Sequence, residues 1–236
     1  MIFSPKIEHH RNVTLPRLFI CNTQINKINK THFLGIIFEE KLSWKEHIQH
    51  VKQKVSQAIG ILYKVRNQLN LNALLTIYYS LIYSHLNYCI LIWGSAGKTL
   101  IEPLLKLQKQ FLRLVTYSDR NTHSNPLFLR LKLLKITDIY KLQVILFVSN
   151  CLKRPKEFPK NLFTNYFIAN SQTHTLNTRN KYELRAFKHK SSLGKKSVQR
   201  QGQTNWNELP LKLRLTNSIE KLKSDLKEFY IKRYID

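Results

Sequence analysis

The chain has 236 residues, which is enough to bury at least one sizeable hydrophobic core. Its 43% hydrophobic and 11% aromatic content excludes a chain that is disordered throughout. The 39 lysines and arginines against 14 acidic residues give a formal net charge of +25. An excess of this size predicts a polyanionic partner, with nucleic acid favoured over an anionic membrane surface.

The cysteines Cys21, Cys89 and Cys151 are far apart in the chain and odd in number. This spacing argues against a disulfide framework and against a C-x-x-C metal site. The first residues also lack the apolar run of a signal peptide. We therefore expect an intracellular protein, in the nucleus or cytoplasm, and not a secreted one.

Short strands are predicted over the first 38 residues, separated by prolines and polar turns. The last of them looks buried because it carries Phe33, Leu34, Ile36, Ile37 and Phe38. The predicted strands are Met1–Phe3, Arg17–Cys21, Gln24–Lys30 and His32–Phe38.

A long amphipathic helix follows the last strand. Ser43 and Glu46 have the spacing of a capping box, which predicts a helix start at Ser43 and an end near Leu69. Apolar residues then recur at intervals of 3 and 4, so they share one face with Trp44. They are Ile48, Val51, Val55, Ala58, Ile59, Leu62 and Val65.

The opposite face of this helix is polar but carries amides, a hydroxyl, a glycine and few charges. Gly60 costs about 1 kcal/mol relative to alanine in a helix interior. Two interpretations stay open: a partner approaches the backbone closely there, or a glycine is tolerated on a solvated face. The candidate binding residues on this face are Gln53, Ser56, Gln57, Gly60 and Lys64.

No charged residue occurs between Arg66 and Lys98, so this segment has to be weighed as a membrane span. Its many polar side chains are unsuited to hydrocarbon, and we expect a buried helix and no membrane partner. The predicted helix is capped by Asn72 and runs from Ala73 to about Ile92.

A third helix is predicted from a capping box at Thr99 and Glu102. It has an apolar face and a basic face, and the basic face is either solvated or in contact with phosphate. The basic residues are Lys106, Lys109 and Arg113.

Two further helices complete a predicted bundle: Pro126 suits the first turn of one, and Thr137 can cap the next. Beyond the bundle, a final amphipathic helix follows Ser218. Trp206 and Leu209 are expected to pack back on the bundle.

A basic segment precedes Trp206, and between Arg179 and Arg200 its single acid is Glu183. Tyr182 and Phe187 are interleaved with the basic residues and offer stacking faces for unpaired bases. Nucleic-acid binding is the favoured interpretation, and a flexible basic linker is the alternative. The candidate residues are Arg179, Lys181, Arg185, Lys188, Lys190, Lys195, Lys196 and Arg200.

Residues suited to catalysis are sparse. None of the four aspartates is adjacent to another acid, whereas two-metal polymerase chemistry needs clustered carboxylates. His47 and His50 are spaced for two metal ligands, but no neighbouring Glu or Cys completes a zinc set, and His9–His10 is a weaker case. We expect neither a catalytic site nor a metal site.

The segment HFLGIIFEEKLSWKEHI resembles the palm-to-thumb junction of reverse transcriptases from jockey-type non-LTR retrotransposons. The resemblance continues through YYSLIYSHLNYCILIWGSA and TNWNELP, and so spans most of the chain. Glu39 stands where the family usually has aspartate, which keeps the carboxylate. In the first segment the matching positions are Phe33, Leu34, Gly35, Leu42, Trp44, His47 and Ile48.

The resemblance implies a mainly α fold: a thumb-like helical bundle with a small N-terminal β remnant of a palm sheet and a basic C-terminal extension. We expect palm-end strands over residues 1–42, the bundle over 43–160, and a basic linker with a C-terminal helix over 161–236. Met1 is then expected to be an internal methionine of a longer parent or the start of a truncated gene.

The function implied is that of a retrotransposon RNA-directed DNA polymerase fragment, which binds RNA or an RNA/DNA duplex and needs an upstream palm and fingers. The amide-and-glycine face corresponds by position to a thumb helix lying against a minor groove. The aromatic-Ala-Asp-Asp hairpin of the family is absent, so this chain alone is expected to be inactive. Mg²⁺ is implied for the intact polymerase and no cofactor for this chain. The alternative is a stand-alone or domesticated nucleic-acid-binding adaptor without catalysis.

Overall fold

The computed structural model describes residues 3, 17–154, 157–158, 163, 166–173, 180–185, 188–189 and 191–235. It is mainly helical, with a small strand region near the N-terminus, which confirms the predicted fold class. The strand predicted at residues 1–3 lies outside the described residues except for Phe3.

The strand region consists of two antiparallel hairpins. Strand β1 (Leu18–Ile20) pairs with β2 (Thr23–Ile25), and β3 (Lys30–Phe33) pairs with β4 (Ile36–Glu39). Strand β2 ends at Ile25, so the single strand predicted over Gln24–Lys30 is wrong for residues 26–29, and Lys30 belongs to β3. Strand β2 is short because it pairs only along the length of β1. All six residues of the first hairpin's strands are exposed.

The continuous strand predicted over His32–Phe38 is also wrong. The chain reverses at Leu34 and Gly35, whose φ angles are 46° and 75°. Two central residues with positive φ match the twist of a two-residue hairpin, although leucine is an unusual choice there. The turn leaves Leu34 72% exposed, whereas Ile36 is 2% exposed and faces the core.

Helix α1 (Lys45–Val65) buries the predicted apolar face from Ile48 to Leu62. The predicted capping box at Ser43 and Glu46 is wrong, because the chain enters the helix through Trp44 in the left-handed conformation. The backbone amide of Lys45 instead donates to Oε2 of Glu39, 3.0 Å away, and to Oγ of Ser43, 3.3 Å away. The end of β4 therefore helps to cap α1.

The next helical segment is interrupted twice. Helix α2 (Leu71–Ile77) is capped by Asn70, not by Asn72, with Asn70 Oδ1 accepting from the amide of Ala73 at 2.9 Å. It continues as a π-helical turn (Tyr78–Tyr83) and α3 (Ser84–Asn87). Cys89, with a φ of 48°, then separates α3 from α4 (Ile90–Trp93). The single helix predicted from Ala73 to about Ile92 is therefore wrong. The segment is buried on one side, and Tyr79, Leu81, Tyr88 and Ile92 are exposed.

Helices α5 (Lys98–Val115), α6 (Ser124–Arg130) and α7 (Ile136–Lys153) form the centre of the bundle. The predicted caps Thr99 and Thr137 are wrong, because α5 starts after Gly97 and α7 starts after Lys135. At α7 a tertiary contact takes over: Oε1 of buried Gln108 accepts from the amide of Ile136 at 2.8 Å.

The C-terminal part packs against α7. It contains α8 (Ser192–Lys195), α9 (Val198–Asn207), α10 (Leu211–Arg214) and α11 (Ile219–Lys232). Trp206 and Leu209 are each 3% exposed, which confirms that they pack on the bundle.

One contiguous hydrophobic core runs from Ile48 to Tyr234. Near the C-terminus, the hydroxyl of Tyr234 donates to Oδ2 of Asp138 at 2.5 Å and accepts from the amide of Lys135 at 3.0 Å. Within the described part of the chain, no helix combines the length and the apolar character needed to cross a membrane.

Candidate nucleic-acid interface

The predicted binding face of α1 is open to solvent. Gln53, Ser56, Gln57, Gly60 and Lys64 are all exposed. A Cβ atom added at Gly60 would have nothing within 4 Å, so packing inside the protein does not require glycine at this position. The five residues span roughly 16 Å of helix.

The same helix carries almost no negative charge. Its single acidic residue is Glu46 in the first turn, whose carboxylate lies 3.7 Å from Nζ of Lys30. His50, Lys54 and Lys64 are exposed further along the helix. A phosphate backbone lying along α1 would therefore meet basic and neutral polar groups beyond the first turn.

The basic residues near the C-terminus lie in several local structures. Lys181 is half-buried beside Tyr182, Arg185 follows the bridge between Ala169 and Leu184, and Lys188 is exposed. Arg179 and Lys190 lie outside the described residues, as does Phe187.

The remaining three basic candidates lie within α8 and α9 or directly between them. Lys195 and Lys196 are exposed, and Arg200 is half-buried within α9. Lys196 lines a groove of about 480 Å³ together with Lys41 and Trp44. The structure thus brings one C-terminal lysine to the N-terminal end of α1.

His47 is a packed core residue. It is 2% exposed, its Nδ1 accepts from the amide of Ile37 at 3.4 Å, and its ring centroid lies 5.6 Å from that of Trp93. Burial, with a smaller contribution from nearby His50, lowers the pKa of His47 to about 4. The side chain is therefore neutral near pH 7 and links β4 to α1.

Acidic and metal-ligating groups do not cluster in the described part of the chain. No three His, Cys, Asp or Glu side chains come together there in a way that could hold a metal ion. Asp138 bonds to Tyr234, while Asp236 and His9–His10 lie outside the described residues. All three cysteines are described, and all three are free thiols.

Two of the segments that carry the sequence resemblance meet in space. The hydroxyl of Tyr88 donates to the carbonyl oxygen of Leu34 at 2.6 Å, and the indole N–H of Trp93 donates to the carbonyl oxygen of Tyr88 at 3.0 Å. Gly35 has a positive φ and lies against the Tyr88 ring. These residues hold the second hairpin against the end of α3 and α4.

Sequence reasoning missed an aromatic and basic cluster at the C-terminal end of α1. Tyr63 and Tyr117 are 64% and 62% exposed, and the guanidinium carbon of Arg66 lies 5.2 and 5.1 Å from their ring centroids. The two tyrosines are more than 50 positions apart, and each alone is an ordinary exposed tyrosine. No local pattern marks them as a pair.

Comparisons with protein-family models, curated proteins and solved structures find no match to this chain.

Proposed function

We propose that this chain is the thumb-like C-terminal part of a jockey-type RNA-directed DNA polymerase and that it holds RNA or an RNA/DNA duplex along α1. The observation that carries the proposal is the exposed face from Gln53 to Lys64, which has no acidic residue and has Gly60 near its middle. It lies directly after a hairpin and a helix start built from the residues that resemble this family.

An A-form minor groove is wide and shallow, and proteins contact it through hydroxyl and phosphate groups. Small side chains such as Ser56 and Gly60 let the helix backbone approach such a groove, and Gln53 and Gln57 can donate to or accept from 2′-hydroxyl groups. Lys64 can pair with a phosphate. Long charged side chains at these positions would hold the duplex further away.

The high positive charge adds attraction that does not depend on sequence. Basic side chains that neutralise phosphates release counterions, so binding weakens as salt is raised. The C-terminal basic candidates from Lys181 to Arg200 would contribute in this way, whereas the α1 face would supply the shape-dependent contacts.

Nucleotide incorporation would require an upstream palm and fingers. Two-metal chemistry needs clustered carboxylates, and the Mg²⁺ ions would be held in that upstream part. The first hairpin suits such a neighbour, because Leu18, Phe19 and Ile20 are 61%, 58% and 64% exposed. Apolar strand residues of this kind favour packing against further sheet. The proposal puts the protein inside the cell, in the nucleus or cytoplasm, where free cysteines are stable.

Binding of the purified chain to a labelled RNA/DNA hybrid, measured by fluorescence anisotropy over a range of salt concentrations, tests the proposal. Lys64→Glu should weaken binding and lower the salt dependence, because a phosphate contact is lost. Lys221→Glu, which makes the same charge change at an exposed position of α11, is the matched control and should have a much smaller effect. Tighter binding to anionic vesicles than to the hybrid would refute the proposal.

A stand-alone adaptor that binds nucleic acid without catalysis is the second candidate. The continuous core from Ile48 to Tyr234 favours it, because such a core can fold as one unit. The genomic sequence upstream of Met1 separates the two candidates. An Asp-Asp hairpin encoded there, in frame or after a frameshift, supports the polymerase; a promoter and intron boundary supports the adaptor.

A further inference from the structure

A groove of about 410 Å³ lies where the C-terminal ends of α1 and α5 meet. Tyr63 and Arg66 line it from α1, and Arg113 and Arg120 line it from α5 and the connector that follows. Its volume falls in the range of small-ligand sites. The groove therefore combines exposed aromatic surface with three arginines.

Tyr117 lies beside Arg66, which lines this groove, and has an unusual backbone conformation. Its φ of 54° lies in the left-handed region, where glycine or asparagine is favoured after a helix end. The single hydroxyl proton of Tyr117 has two acceptors within reach, the carbonyl oxygen of Arg66 at 3.0 Å and Oδ1 of Asn67 at 3.2 Å. The ring is thus fixed against the end of α1 while the residue remains 62% exposed.

Capping of α1 explains only part of this arrangement. The hydroxyl of Tyr117 satisfies a carbonyl group at the helix end, and Arg66 complements the negative end of the helix dipole. Neither role needs aromatic rings that are more than half exposed at both Tyr63 and Tyr117. Both rings lie close to one guanidinium group, which gives a surface for stacking planar groups.

The three arginines of the groove differ in how free they are to meet a phosphate. The guanidinium carbon of Arg66 lies 5.2 Å from the Tyr63 ring centroid and 5.1 Å from the Tyr117 ring centroid, so Arg66 lies against the aromatic rings. Nε and Nη2 of Arg113 already donate to the carbonyl oxygen of Thr122 at 3.1 and 2.9 Å, which holds the connector in place. Arg120 is exposed and makes no ion pair among the described residues, so it can meet a phosphate at the rim.

We propose that this groove binds an unpaired nucleotide at the end of the duplex, with its base stacked on Tyr63 or Tyr117 and its phosphate near Arg120. The inference rests on the proposed function, because the paired part of the nucleic acid would lie along α1. Tyr63 comes three residues after Gly60, roughly 4.5 Å further along the helix axis. A strand that leaves the α1 face at Lys64 meets the groove at once.

The test compares three forms of one RNA/DNA hybrid: blunt, with a short single-stranded overhang, and with the same overhang made abasic. The abasic form keeps the phosphates and removes the stacking surfaces. Wild-type protein should bind the base-containing overhang about five-fold or more tightly than the abasic one. Tyr63→Ala should remove this preference, and Tyr63→Phe should keep it.

Two further variants make the assignment specific to the groove. Tyr117→Asn suits the left-handed backbone, lacks the ring, and should reduce the preference in the same way. Tyr79→Ala is the control. Tyr79 is an exposed tyrosine on another part of the surface, and Nζ of Lys227 lies 6.0 Å from its ring centroid. Its removal should leave the preference for the base-containing overhang unchanged.

The outcomes separate this inference from the proposed function. Equal affinity for base-containing and abasic overhangs, with tight binding of the blunt hybrid, overturns the inference and leaves the proposed function standing. A preference that survives both Tyr63→Ala and Tyr117→Asn also overturns the inference. Failure to bind any hybrid overturns the proposed function itself.

Discussion

The hydroxyl of Tyr88 donates a 2.6 Å hydrogen bond to the carbonyl oxygen of Leu34, which lies 54 positions earlier in the chain. The bond fastens the tip of the β3–β4 hairpin to the helical bundle. A Cβ atom at Gly35 would lie 3.4 Å from the Tyr88 ring, and the φ of 75° disfavours other residues there. The conformation of this turn thus depends on a residue far away in the sequence.

Tyr88→Phe should lower the free energy of unfolding by about 1 kcal/mol, since it removes one hydrogen bond and keeps the ring. Urea denaturation would measure the change as a lower midpoint. Tyr63→Phe is the control, because it removes a hydroxyl from an exposed tyrosine on α1. Equal midpoints for Tyr88→Phe and wild type would show that the bond does not stabilise the fold.

Acidification should destabilise the protein through His47. The pKa of this residue is lowered from 6.5 to about 4, so the unfolded chain takes up a proton over this interval and the folded chain does not. The contribution of His47 to the free energy of unfolding is therefore fully present above pH 6.5 and decreases as the pH falls toward 4. Below pH 4 this contribution changes no further. The total loss is roughly 3 kcal/mol.

His47→Asn is the variant that isolates this effect. Its Oδ1 can replace Nδ1 as the acceptor for the Ile37 amide, and it does not titrate. Stability measured by denaturant titration between pH 4 and 7 should have a smaller pH dependence in the variant. Identical pH profiles for the two proteins would contradict a lowered pKa at His47.

Gln108 should be among the residues most sensitive to substitution. It is 1% exposed; its Nε2 donates to the hydroxyl of Tyr78 at 3.0 Å and to the carbonyl oxygen of Leu134 at 3.1 Å, and its Oε1 accepts from Ile136. Gln108→Leu leaves these buried groups without their partner and should cost roughly 2 kcal/mol or more.

Thermal denaturation followed by circular dichroism would measure this cost. Gln110→Leu, at an exposed position two residues further along the same helix, should change stability by less than about 0.5 kcal/mol. Similar melting temperatures for the two variants would rule out a special role of the Gln108 hydrogen bonds.

The helices could be predicted from local periodicity, but several of their ends could not. The buried face of α1 from Ile48 to Leu62 follows from spacings of 3 and 4 alone, and α11 begins directly after Ser218 as predicted. The backbone amides at the starts of α1 and α7 donate hydrogen bonds to the side chains of Glu39 and Gln108, which belong to other elements. A pattern search within the helix cannot find such caps.

Part of the candidate site could likewise be predicted from the sequence, and part of it could not. The exposure of Gln53 and Gly60 follows from their position opposite the apolar face of α1, so sequence analysis predicted it. The groove lined by Tyr63 and Arg66, with the Tyr117 ring beside Arg66, depends on the ends of α1 and α5 lying side by side. Only the packing of the two helices brings these rings to one guanidinium group.

Gly60→Gln tests the α1 face most directly, because stability and binding should move in opposite senses. A Cβ atom added at Gly60 meets no atom within 4 Å, so replacing the glycine should stabilise the helix by about 0.5–1 kcal/mol. Ser224→Gln, which enlarges an exposed side chain on α11, is the control for added bulk. Thermal denaturation and hybrid binding would be measured on the same preparations. We predict a higher melting temperature for Gly60→Gln together with roughly ten-fold weaker binding of the RNA/DNA hybrid. Wild-type affinity in this stabilised variant would contradict the assignment of the α1 face as the nucleic-acid interface.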